Sequence, residues 1–96
     1  MRPSTVLNQR REAIRALVEE YGVLNPRVFG SIIRNEDTDG SDLDILVDPK
    51  PETSLLDIAK LQMRLEQELG ITVDVLTPKA LPESFRNHVI EHAIPV

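Results

Sequence analysis

The chain has 96 residues, a formal net charge of −5, no cysteine, and one tyrosine and two phenylalanines as its only aromatic residues. That length predicts one domain over residues 1–96 with an aliphatic core, and the missing cysteines exclude disulfides, thiol catalysis and Cys-ligated zinc. The acidic balance speaks against direct nucleic-acid binding, which calls for a basic stripe, and no segment approaches the ~20 apolar residues of a membrane span.

The opening "MRPSTVLNQRREAIRAL" has no apolar signal-peptide centre, so the expected location is cytoplasmic. Ser4 reads as the N-cap of a first helix, with Val6, Ile14, Leu17, Val18 and Tyr21 near one face and Gly22 as its left-handed end. Arg27-Val28-Phe29 reads as a short strand running into Gly30-Ser31, and a brief helical turn follows through Arg34. The polar run to Ser41 is loop. Asp42 to Val47 is the clearest strand, with Asp42 and Asp44 on one face and Leu43, Ile45 and Val47 on the other.

A second long helix starts at Ser54, where Asp57 three residues on completes a capping-box spacing. Leu55, Ile58, Leu61, Leu65 and Leu69 form its apolar stripe, and Gly70 stops it. Ile71 to Leu76 is a third strand carrying Asp74. Pro82 opens a last helix through Phe85, Val89 and Ile90. This order predicts an α/β fold: a small mixed sheet of about three strands covered by helices.

The feature that asks for an explanation is the set Asp42, Asp44 and Asp74. If the second and third strands are neighbours, the three carboxylates converge. Two like charges ~6 Å apart repel by roughly 3 kcal/mol at an effective dielectric of about 20. A divalent cation removes that penalty, and hard oxygen donors suit Mg²⁺ or Mn²⁺. Gly30 lets backbone come close to a ligand, Ser31 adds a hydroxyl, and together they suit the β and γ groups of a triphosphate. Asp74 is placed to take a proton from an incoming hydroxyl, or to lower its pKa through a shared metal.

Gly30-Ser31, ten residues, then Asp42-Leu43-Asp44, with Asp74 on a later strand, resembles the nucleotidyltransferase signature of the polymerase-beta superfamily. Phe29, Arg34 three residues after Ser31, and the chain length make it similar to minimal nucleotidyltransferase (MNT) antitoxins, the MntA-like partners of HEPN toxins. The resemblance implies the minimal nucleotidyltransferase fold and ATP as substrate. It implies two Mg²⁺ ions on Asp42 and Asp44, and phosphates at Gly30, Ser31 and Arg34. Asp74 completes the metal site and activates the acceptor. It further implies a hetero-oligomer with a HEPN-type RNase toxin, neutralised by transfer of AMP onto a hydroxyl, in some members a tyrosine. The family's common glycine after the arginine is Asn35 here.

Each piece alone has a plainer reading: Gly30-Ser31 as an ordinary capped turn, the Asp42/Asp44 pair as a solvated strand face, Asp74 as a polar-face residue. Their joint spacing favours the site. Asn35, Asp37, Asp39 and Gly40 imitate a calcium loop, but its closing glutamate falls on Leu46. His88 and His92 have a helical metal-ligand spacing, yet read more simply as a helix C-terminal pair. Tyr21 and Phe85 read as core or partner-interface residues, and Arg10, Arg11 and Arg15 as a solvated face. The other functional expectation is an antitoxin that acts by binding and occlusion without catalysis.

Overall fold

The computed structural model describes residues 1–96. In chain order, α1 spans Pro3–Glu20, β1 Leu24–Phe29, β2 Leu43–Asp48, α2 Leu55–Leu69, β3 Val73–Leu76, α3 Glu83–His92 and β4 Ile94–Pro95, with single 3-10 turns at Gly30–Ile32 and Pro78–Ala80. The sheet order is β3-β2-β1-β4. β2 and β3 run parallel, joined by α2 as the crossover, while β1 pairs antiparallel with both β2 and β4. The mixed α/β architecture is the expected one with a fourth strand added. Ile94 and Pro95 pair with Val28 and Arg27, a contact between residues distant in the chain that no local pattern announces.

One face of the sheet is dry. Val28, Leu43, Ile45, Val47, Val73 and Val75 meet Val6, Ile14, Leu17 and Val18 of α1 and Leu61, Leu65 and Leu69 of α2 in a single apolar cluster. The alternation of β2 produces this directly, because it turns Leu43, Ile45 and Val47 toward the helices and Asp44 away from them. The opposite face of β2 and β3 carries Asp44 and Asp74.

α2 begins as its sequence requires. Ser54 Oγ accepts the Asp57 N–H at 3.2 Å, and Asp57 Oδ2 accepts the Ser54 N–H at 2.9 Å. Gly70 closes the helix at φ 70°, a conformation that costs a side-chain-bearing residue energy. The stripe of α2 is narrower than its pattern: Leu61, Leu65 and Leu69 are buried, Ile58 is partly buried, and Leu55 is 86% exposed.

α1 corrects a second expectation. Its N-cap is Arg2, Pro3 is the first helical residue, and Ser4 lies inside the helix. The free N–H of Ser4 is taken instead by Asp37 Oδ2 at 2.9 Å, from the loop ahead of β2. α3 buries none of its residues, and Phe85 and Ile90 remain 46% and 41% exposed, so Phe85 is not core. Tyr21 does pack against the core.

Candidate active site

Asp44 and Asp74 are direct partners in the parallel β2–β3 ladder and therefore project from the same face of the sheet. Asp42 lies one residue ahead of β2 and is exposed. Burial, then the charges of Asp74 and Asp42, push the Asp44 carboxyl up to about 6, against a weaker opposing pull from Arg34. Asp42, Asp74 and Arg34 thus all act on the Asp44 carboxyl through their charge. As the side chains stand, no three His, Asp or Glu residues form a ready ligand set for a metal ion. The donor chemistry nonetheless fits a hard divalent cation: the set is all oxygen, and its members repel until a cation is bound.

Gly30 makes this arrangement possible. It sits at φ +80°, and a Cβ there would overlap Asp44 Oδ2, so the backbone at position 30 lies directly against the Asp44 carboxylate. Glycine at this position is expected to make room for a ligand; in the structure it also makes room for the aspartate. Gly30 and Ser31 open the 3-10 turn that follows β1, whose first N–H groups have no partner within the turn. Arg34 is exposed and pairs with Glu36 at 3.0 Å. Asn35, standing where the resembling family carries glycine, adopts φ 55°. Asparagine is among the residues that tolerate this left-handed conformation, so the bend after Arg34 is kept.

A cleft of about 320 Å³ borders the same face, lined by Phe29, Gly30, Ile33 and Arg34 on one side and by Phe85, His88, Val89, His92 and Ala93 of the α3 region on the other. His88 and His92, expected as a helix C-terminal pair rather than as metal ligands, both line this cleft. Their rings stack with centroids 4.1 Å apart, and His92 Nδ1 lies 2.9 Å from the His88 carbonyl oxygen. Nothing in the sequence marks this cleft, because α3 and the turn after β1 are far apart along the chain. Asp37, by contrast, takes no part in the acidic face. Its buried carboxylate caps α1 and accepts from the Arg2 guanidinium at 3.3 Å.

The polymerase beta, nucleotidyltransferase family profile matches residues 12–96. Protein adenylyltransferase MntA of Thermococcus cleftensis is 34% identical over 90 residues, covering 94% of this chain and 88% of that protein. A Methanocaldococcus jannaschii chain, MJ0435, described as a candidate protein adenylyltransferase, is 36% identical over 90 residues, covering 94% and 97%. Among solved structures, one described as a candidate minimal nucleotidyltransferase superposes with a TM-score of 0.85 at 41% identity, covering 100% of this chain and 97% of that one. A toxin–antitoxin crystal structure with AMP-PNP shares the fold at a TM-score of 0.74 and 19% identity, over 88% and 69%. With the family profile reaching from Glu12 to Val96 and the acidic face in place on the matching fold, this chain belongs to the polymerase beta nucleotidyltransferase family.

Proposed function

We propose that residues 1–96 form one minimal nucleotidyltransferase domain that transfers AMP from ATP onto a hydroxyl of a partner protein. The observation that carries this reading is the in-register Asp44–Asp74 pair with the Gly30 backbone pressed against Asp44. Phosphate-binding backbone and charge-crowded carboxylates then share one small volume, as transfer from a triphosphate demands.

The roles follow from the chemistry of each group. Gly30 and Ser31 receive the β- and γ-phosphates. Arg34 exchanges its exposed partner Glu36 for phosphate, and such surface pairs are worth only about 0–1 kcal/mol. Mg²⁺ or Mn²⁺ held by Asp42, Asp44 and Asp74 would neutralise the charge of the triphosphate. The attacking hydroxyl oxygen forms a bond to the α-phosphorus as the bond to pyrophosphate breaks, and Asp74 takes the hydroxyl proton. The relatives' names support a protein acceptor. The family resemblance supports a HEPN-type toxin as that acceptor, with a tyrosine as the modified residue, in a cytoplasmic hetero-oligomer.

Incubating the chain with Mg²⁺ and α- or γ-labelled ATP in source-organism lysate tests the reading, with the Asp42→Asn/Asp44→Asn double variant alongside. Label from the α position alone, on a partner protein and absent with the variant, is expected. Neutralisation of a toxin by the double variant, with no AMP transferred, would replace catalysis by occlusion.

A further inference from the structure

Asp74 sits on an edge strand, because β3 has β2 on one side and no strand on the other. The Leu43 N–H donates to the Thr72 carbonyl at 3.0 Å. Thr72 and Asp74 therefore turn their peptide groups toward β2, while Val73 and Val75 turn theirs to the open edge. Val73 is 0% exposed and Val75 4%, so their outward N–H groups need partners within the protein.

α2 supplies both. The Val73 N–H donates to Glu66 Oε2 at 3.1 Å, and the Val75 N–H donates to Gln62 Oε1 at 2.9 Å. The two elements match in pitch: four residues of helix rise about 6 Å, and two residues of strand about 6.6 Å. Gln62 and Glu66, one turn apart, thus grip the two peptides that flank Asp74.

The strand has reason to be held. Asp44 and Asp74 stand directly opposite each other, and like charges so placed work against the pairing. Bonds along one edge leave a four-residue strand free to pivot about β2. Bonds at both edges fix its tilt, and with it the reach of the Asp74 side chain. α2 is a firm base for this, being seated in the core by Leu61, Leu65 and Leu69. Val73 and Val75 face the core and Asp74 leaves from the opposite face, so Gln62 and Glu66 act through the backbone of β3.

We propose that Gln62 and Glu66 are positioning residues for Asp74: two acceptors on α2 that clamp β3 from its free edge and hold the Asp74 carboxylate in place beside Asp44. The assignment rests on the role given to Asp74 under Proposed function.

Gln62→Met and Glu66→Met remove one acceptor each and keep the side-chain length, whereas Gln62→Glu and Glu66→Gln keep an acceptor. Amide hydrogen exchange on the full chain reads the clamp without turnover. Exchange at Val73 in Glu66→Met, and at Val75 in Gln62→Met, is expected to quicken about tenfold or more. The rate of AMP transfer is then followed with Mg²⁺, α-labelled ATP and source-organism lysate. Each Met variant is expected to lose about tenfold in kcat per folded molecule, with KM for ATP near wild type, as a small misplacement of a reacting group predicts. The acceptor-keeping variants should retain wild-type kcat.

Unchanged exchange at both amides, or full kcat in both Met variants, overturns the positioning role alone. So does a loss that the acceptor-keeping variants share, or one that only follows the folded fraction. Transfer by wild type that Asp74→Asn matches removes the role of Asp74 and the clamp's purpose with it. A wild-type chain that labels no protein overturns the transfer reading itself.

Discussion

Asp37 and Asp44 are both aspartates withdrawn from water, and their surroundings drive them in opposite directions. The Asp37 side chain is only 2% exposed, yet its pKa is lowered, first by the Ser4 backbone N–H and also by Arg2. Asp44 is the less buried of the two, yet its pKa is raised, first by that burial and then by the charges of Asp74 and Asp42, where Asp37 has donors that outweigh its burial. Burial alone does not set the direction; the partners do. One carboxylate holds the fold together, and the other is kept at a cost to the fold that a bound cation would relieve.

The largest effect expected from breaking this contrast is on activity. Asp42→Asn with Asp44→Asn should reduce AMP transfer on the order of a thousandfold or more, measured as label incorporated per minute, since charge stabilisation of this kind is worth several kcal/mol. Asp37→Ala should act on stability instead. Removing the carboxylate strips the cap of α1 and the half-exposed Arg2 ion pair, at about 1–2 kcal/mol, read as a shift of the urea midpoint. Transfer per folded molecule should remain near wild type. An unchanged midpoint would show that water replaces the cap.

Gly30→Ala joins the two effects. The new Cβ collides with Asp44 at a backbone angle that disfavours side chains, so a loss of about 1–3 kcal/mol is expected together with loss of transfer. Normal activity in this variant would mean that Asp44 can retreat without consequence.

The smallest effect is the pH dependence. Asp44 binds its proton more tightly folded than unfolded, so its contribution to stability is full below about pH 4 and lost as pH rises toward about 6. A shift of that size corresponds to about 3 kcal/mol, discounted to on the order of 1–2 for a partly solvated group. Asp37 runs the other way: its contribution is present above the unfolded pKa and lost as pH falls through its lowered folded value. Urea unfolding from pH 4 to 7 should show the Asp44 decline in wild type and a flatter profile in Asp44→Asn. At pH 7, Mg²⁺ should raise the wild-type melting temperature and leave that variant unmoved. A decline of equal size in Asp44→Asn would assign it to other carboxylates.

Much of this was legible because the relevant physics is local. Ser54 and Asp57 are three residues apart, so their reciprocal cap is written in the sequence, and Gly70 is the residue that closes a helix in the left-handed conformation. Asp42, Leu43 and Asp44 declare opposite faces through strand alternation alone. The cap of α1 was illegible for the converse reason, since Ser4 and Asp37 are 33 positions apart. Ser4 itself looks like a cap until the fold supplies a better one. Leu55 obeys the helical period, but period cannot say how much of α2 the core covers.

The sequence by itself determined the three helices, the first three strands and the dry face of β2, because each follows from spacing within a few residues. Tertiary structure alone decided that Asp74 stands beside Asp44, that Gly30 touches that carboxylate, that Ile94 and Pro95 add a fourth strand, and that α3 walls a cleft next to them. These are contacts between segments far apart in the chain, set by the pairing of strands and by the burial of one shared apolar face, and no local pattern encodes them.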